Sequence, residues 1–354
     1  MSESNKIHET LVCPPPRVKC IVWDLDNTLW DGILSEDKEV YIKQKAVDVI
    51  MTLDRRGILH SIASRNDYDA AFRKLESFGL ADYFLFPQIN WNPKSGSIRE
   101  IARLLNLSTD ALAFIDDEAF ERAEVKHIIP GLLCIDAADI ETIPEMQEIN
   151  PTILTEDSAN RRKMYLADQV RCSHEEQFNG AKEEFLKTLN MRLSIMRCTE
   201  EHLKRAEELT VRTHQMNTTG ITYSYDQLKE LCYSDSHLLL IAGLDDKFGT
   251  YGKVGLALIQ IGSMQWTIKL FLMSCRIGSR GIGGVFLDYI IKEAQTRGVK
   301  LSAEYFETGK NRMMHIMYKF AGFKLVNSQG DKRIFEMGTL HVRPFPDYIQ
   351  LVTA

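Results

Sequence analysis

Short apolar runs alternate with amphipathic stretches through the first part of the chain. Ile21-Val22-Trp23, His60-Ser61-Ile62-Ala63 and Leu112-Ala113-Phe114-Ile115 read as strands, and each ends in polar residues. Between them, Gln44 to Arg56 and Ile98 to Ala102 place apolar residues at helical spacing. Strands alternating with helices predict an α/β domain with a parallel sheet over residues 17–150. Pro14-Pro15-Pro16 closes a polar lead-in, residues 1–16, expected to be disordered. Ile149-Asn150-Pro151 marks a boundary, and residues 151–190 read as a polar, helical connecting segment. From 191 to 354 the pattern changes. Glu200 to Thr213 predicts a helix, and Leu238–Gly243, Val254–Ile259 and Thr267–Cys275 predict strands. A glycine-rich stretch, Arg276 to Gly283, then opens a helix from Val285 to Ala294, an α+β order.

Composition narrows the class. The 354 residues are 44% apolar and 26% charged, as in a globular protein large enough for two domains. A net charge of −6 gives no reason to expect nucleic acid as a partner. No run approaches the roughly 20 apolar residues of a membrane span, so no membrane partner is expected. The first residues lack the layout of a signal peptide. Seven cysteines without CxxC spacing fit neither a zinc site nor a disulfide frame, and a reducing cytoplasm is the expected location.

Chemistry enters at the strand ends. Asp24 and Asp26 follow the first strand two residues apart, and Thr28 comes next. On extended backbone, alternate residues point to one side, so both carboxylates are expected at the sheet edge where doubly wound folds bind ligands. Ser64-Arg65-Asn66 ends the second strand, and Lys94 lies at a predicted helix start, a favourable place for phosphate. Asp116-Asp117 ends the next strand. Asp-x-Asp-x-Thr, then Ser, Lys and an acidic pair in that order, resembles the haloacid dehalogenase (HAD) phosphatase superfamily. The resemblance implies a HAD-like doubly wound sheet with Asp24 as phosphoryl acceptor and Asp26 as acid/base. It assigns Ser64, Arg65, Asn66 and Lys94 to phosphate. It also implies Mg²⁺ on Asp24, Asp26 (through its backbone carbonyl) and Asp116, with Asp117 the alternative to Asp116. Carboxylates and carbonyls are the oxygen donors that Mg²⁺ takes. One predicted helix between Asp26 and Ser64 leaves no room for a large cap there.

The second half resembles the GNAT acyltransferase fold. The Arg276-to-Gly283 loop, with Gly278, Arg280 and Gly281, stands where that fold cradles a pyrophosphate; the departure is Ser279, where glycine is usual. Asn311, Tyr318 and Gly322-Phe323 continue the pattern. Asp24 to Trp30, Phe114 to Asp117 with Glu121-Arg122-Ala123, and Leu272 to Arg276 together resemble the FkbH-like proteins, over residues 17–345. That family joins a phosphatase to a GNAT-like domain. The resemblance implies a glyceryl transferase/phosphatase using 1,3-bisphosphoglycerate and an acyl carrier protein with phosphopantetheine, in polyketide biosynthesis. Such chemistry needs a thiol. Cys172 is preferred, beside Arg171 and His174, with Ser173 as an expected helix start that would let His174 approach; its segment is also the expected lid of the open phosphatase site. Cys275 is the runner-up, at the end of a predicted strand next to Arg276. Cys275, Arg276, Gly278, Arg280, Gly281, Asn311 and Tyr318 are the residues expected at the acyl or pantetheine arm. His214 is read as a capping or core residue. The alternatives are a small-molecule phosphatase with a GNAT-like scaffold, a phosphatase joined to a true N-acetyltransferase, and a carrier-docking module with a dead HAD site, which the intact Asp24, Asp26, Lys94 and Asp116 speak against.

Overall fold

The structure, a computed structural model, describes residues 18–277, 280–338 and 343–353. The expected lead-in and Gly278 lie outside them. The chain divides into two compact units, one ending at Tyr165 and the other beginning at Leu166.

The first unit is an α/β domain. Its elements are β1 (Cys20–Trp23), β2 (Trp30–Asp31), β3 (Tyr41–Ile42), α1 (Gln44–Arg55), β4 (Leu59–Ser64), α2 (Tyr68–Ser77), β5 (Gln88–Ile89), α3 (Lys94–Leu104), β6 (Leu112–Asp116), α4 (Ala119–Ile128), β7 (Leu133–Asp136) and α5 (Glu156–Ala159). Five strands form a sheet in the order β5-β4-β1-β6-β7, with every neighbouring pair parallel. β1 is central and fully buried. A strand covered on both faces must be apolar throughout, which explains its unbroken apolar sequence. Order reverses at β1, because β4 lies on one side and β6 on the other. Such a switch point is where an open α/β sheet forms its crevice. Only the small β2–β3 ladder and α1 intervene between Asp26 and Ser64.

The long helix α6 (Arg161–Gln177) contains the division between the units. The second unit continues with α7 (Lys182–Thr188), β8 (Met191–Arg197), α8 (Glu200–Arg212), α9 (Tyr225–Cys232), β9 (His237–Asp246), β10 (Gly249–Ile261), β11 (Gln265–Met273), α10 (Ile282–Thr296), β12 (Lys300–Phe306), α11 (Arg312–Phe320), β13 (Phe323–Gln329), β14 (Lys332–Met337) and β15 (Ile349–Thr353). Its eight-stranded sheet runs β13-β14-β12-β11-β10-β9-β8-β15. The β11–β12 ladder is parallel and stops early, pairing Gln265–Ile268 with Lys300–Ala303. Beyond that point residues 217 and 218 stand between the strands. The Thr218 N–H donates to the Phe271 carbonyl at 3.0 Å, and the Phe306 N–H donates to the Thr218 carbonyl at 3.0 Å. Unpaired strand edges are thereby satisfied from within the chain.

No helix among the described residues is long and apolar enough to cross a membrane.

Candidate functional site

The ends of β1, β4 and β6 and the start of α3 bring Asp24, Ser64, Asp116 and Lys94 together. Asp24 leaves β1 5% exposed, and Asp116 ends β6 fully buried. Lys94 is the first residue of α3. Its Nζ donates to Asp24 Oδ1 at 2.9 Å and to Asp116 Oδ2 at 2.6 Å. Each member of this triad is almost inaccessible, so each charge is held by the others rather than by water. Ser64, the last residue of β4, also donates its hydroxyl to Asp24. Burial pushes the Asp24 carboxyl upward and the Asp116 charge adds to this; Lys94 opposes both. The Asp116 carboxyl is likewise raised by burial against the pull of Lys94. Burial works against the Lys94 ammonium, but the two carboxylates outweigh it and raise its pKa.

Carboxylate oxygens of Asp24, Asp116 and Asp117 lie within 4.8 Å of one another. This hard, anionic oxygen set fits Mg²⁺. Asp117, read from sequence as the alternative ligand to Asp116, lies in the same cluster as Asp24 and Asp116. Thr28 fixes Asp117 twice, donating to its Oδ1 at 3.2 Å and accepting from its N–H at 3.1 Å. Arg122 fixes the end of β6 by donating to the Asp116 carbonyl at 2.8 Å, and it also pairs with Asp136.

The expected phosphate residues divide. Ser64 and Lys94 face Asp24. Asn66 instead donates to Asp26 Oδ2 at 2.8 Å, so its amide orients the expected acid/base. Trp30 Nε1 and the Leu34 N–H hold the other Asp26 oxygen, at 2.8 and 3.1 Å. The Asp26 side chain is thus fixed apart from the three clustered carboxylates. Arg65 pairs with Glu121 at 2.9 Å. The geometry adds Glu121, Thr28 and Arg122 to the site residues. Sequence hinted at Glu121 and Arg122 only through the stretch after Asp116-Asp117.

In the second unit, Cys172 is exposed and lies inside α6. Ser173 does not start a helix, so the expected approach of His174 to the thiol is corrected: successive helical residues diverge by about 100°. The His174 ring meets Phe248 instead, centroids 5.0 Å apart. Arg171 is fully buried and makes two bonds to Asp246, at 2.7 and 2.9 Å. Partial desolvation raises the Cys172 pKa, and Asp168 one turn earlier raises it further, against Arg280. The expectation of a thiol lowered by Arg171 is therefore also corrected.

Arg280 pairs with Asp168 at 3.0 Å. Gly281 caps α10 with φ +78°, a conformation that favours glycine. Cys275 and Arg276 are half-buried in a short 3₁₀ turn just past β11. Asn311 and Tyr318 are fully buried. Asn311 Oδ1 accepts from Tyr305 Oη and the Thr308 N–H; its Nδ2 donates to the carbonyls of Asn217, Thr218 and Phe306. Its capacity is spent on holding residues 217–218 between β11 and β12. Asn311 is thus committed to the frame, while Tyr318 packs its ring against Phe323 and Phe335.

No protein-family model matches the chain, and no curated protein does. Among solved structures, the chain is similar to the N-terminal part of protein BF1531 from Bacteroides fragilis, containing a phosphatase domain complexed with Mg. That match has 27% identity and a TM-score of 0.32, over 43% of this chain and 39% of that one. The chain is also similar to the ribosomal-protein-S18-alanine N-acetyltransferase of Escherichia coli, at 17% identity and TM-score 0.34, over 41% of this chain and 92% of that one. A third is the PaiA N-acetyltransferase of Thermoplasma acidophilum in complex with coenzyme A, at 16% and 0.34, over 41% and 98%.

Proposed function

We propose that this chain is an Mg²⁺-dependent HAD-type phosphatase joined to a GNAT-like acyltransferase. It would take a D-glyceryl unit from 1,3-bisphosphoglycerate as a cysteine thioester and remove the phosphate. It would then load the acyl unit on the phosphopantetheine arm of an acyl carrier protein. One observation carries the phosphatase half: Lys94 bridging Asp24 and Asp116, with Asp117 within 4.8 Å. Asp24, Asp116 and Asp117 would hold the metal. Bound there, the metal would neutralise phosphate charge, letting an anionic carboxylate approach an anionic ester.

The chain's own residues supply the rest. Asp24 attacks phosphorus while Asp26, aimed by Asn66 and Trp30, gives its proton to the leaving oxygen. Water then attacks the phosphoryl group on Asp24, and Asp26 takes back a proton. Lys94 and Ser64 hold the charge that develops on the transferring group. In the acyl half, the Cys172 sulfur attacks the acyl carbon and expels the anhydride phosphate; Cys275 is the alternative. The arm thiol then displaces that cysteine.

A second reading, a phosphatase whose second unit is a scaffold, has one observation in its favour: residues 217–218 already fill the space between β11 and β12. Incubation with 1,3-bisphosphoglycerate and Mg²⁺, followed by intact and peptide mass spectrometry, separates the two. A glyceryl adduct on Cys172 supports the first reading. Phosphate release without an adduct or transfer to a carrier protein supports the second.

A further inference from the structure

The two sides of α11 differ. Met314, Tyr318 and Ala321 recur at helical spacing and are buried in the core of the second unit. The other side is open. Met313 is 60% and Phe320 78% exposed, and Arg312 and Lys319 stand exposed next to them. Among the described residues neither cation has an ion-pair partner. Leu325 of β13 is 45% exposed on the same side of the sheet, because its cross-strand partner Phe335 packs under α11 against His315 and Tyr318. Charge is one-sided here. Residues 308–330 hold Lys310, Arg312, Lys319 and Lys324 and no Asp or Glu, in a chain of net charge −6. Lys324 stands opposite Glu336 on β14, which leaves Arg312 and Lys319 as the unanswered pair. Large apolar side chains gathered on an exposed surface and rimmed by polar groups mark an interaction site.

We infer that the outer face of α11 is a docking surface for a protein whose own surface is acidic around an apolar centre. The identity of that partner rests on the acyl-transfer reading, under which it is the acyl carrier protein. Charge complementarity selects the occupant. A second copy of this chain would set Arg312 and Lys319 against the same cations across a two-fold axis, and like charges there repel. A helix that lies in a membrane surface puts its cations and its apolar residues on opposite faces. In α11 both share the outward face, since the opposite face is spent on the core. Exposed Met, Phe and Arg together are the composition of a protein–protein contact. The position also suits a partner that carries an arm. Met317, between Met313 and Phe320 on the helix, reaches Gly283 in the first turn of α10, its sulfur 3.5 Å from where a Cβ would stand. A partner seated on α11 therefore borders the glycine-rich loop.

The test titrates the full-length protein with a holo-acyl carrier protein, and with its apo form that lacks the arm, by calorimetry; hydrogen exchange maps the contact. The expected result is protection of peptides within 309–326, similar Kd for both forms, and affinity that falls as salt rises. The double reversal Arg312→Glu with Lys319→Glu should weaken Kd by about tenfold or more, and Phe320→Ala should weaken it several-fold. Lys204→Glu, an exposed reversal on α8, should leave it unchanged. All these side chains are exposed, so urea midpoints should match the wild type. Carrier binding with protection elsewhere, or binding that the double reversal leaves unchanged, overturns the inference and leaves the acyl-transfer reading standing. Binding of the holo form alone does the same, because the affinity then comes from the arm. If the double reversal instead changes only sedimentation with anionic lipid vesicles, or only self-association, the face belongs to lipid or to a second copy, and the inference falls. A protein that neither binds the carrier nor acylates it from 1,3-bisphosphoglycerate removes both readings together.

Discussion

Lys94 is the cation on which the first unit's buried charge depends. Replacing it by Met keeps the length of the side chain and removes the ammonium. Asp24 and Asp116, 5% and 0% exposed, would then face each other without the contacts at 2.9 and 2.6 Å. Removing one partner of a buried ion pair costs about 3–5 kcal/mol, because the other charge stays buried. That is a large share of the roughly 5–15 kcal/mol that holds a domain folded. The loss can be read by urea unfolding of the full chain in EDTA, with hydrogen exchange at β1 and β4 amides reporting the first unit. Lys94→Met alone should lose about 3–5 kcal/mol. The double variant Asp24→Asn with Lys94→Met should recover part of it, with a coupling of about 1–3 kcal/mol, because one of the stranded charges is gone. A loss below about 1 kcal/mol, or a double variant no more stable than the single one, would refute the triad as the source of this stability.

Other expectations follow from the same structure. His60 is fully buried, and burial lowers its pKa from 6.5 to about 3. The unfolded chain therefore takes up this proton first, and His60 destabilises the fold as pH drops from about 6.5 towards 3, by up to about 1.4 kcal/mol per pH unit. Urea titrations at pH 7, 6 and 5 would show the slope, and a His60→Gln variant should flatten it; an unchanged slope counts against a neutral buried imidazole. Cys172 has a raised thiol pKa, so at pH 8 it should alkylate with iodoacetamide more slowly than a free thiol. Asp168→Asn, which removes one raising charge and releases Arg280, should speed it several-fold by peptide mass spectrometry. Equal rates in both proteins would mean that Asp168 does not govern this thiol.

Much of the first unit was legible in the sequence because its signals are local. An apolar run ending in Asp24, a run ending in Ser64, Lys94 at a helix start and a run ending in Asp116 each mark a strand end or a helix start, and the parallel sheet gathers them. What stayed hidden depends on side-chain direction. Asn66 and Arg65 follow Ser64 directly, yet one turns to Asp26 and the other to Glu121. Asp117 entered as a substitute for Asp116 because nothing in the sequence shows that Thr28 holds its carboxylate beside the pair. The second unit's strands were legible by pattern. Residues 217–218 were not, because they have no strand periodicity of their own and take their place between β11 and β12 from Asn311. Arg171 misled for a related reason: adjacency to Cys172 says nothing about a guanidinium committed to Asp246 on a diverging face of α6.

The central claim is that the Asp24 carboxylate accepts a phosphoryl group. The most direct measurement is steady-state phosphate release by Asp24→Asn beside the wild type, with Mg²⁺ and a phosphate monoester, after confirming that both unfold at similar urea concentrations. The variant should lose at least about a thousandfold in kcat, since an amide cannot act as the nucleophile. Release at the wild-type rate would contradict the account.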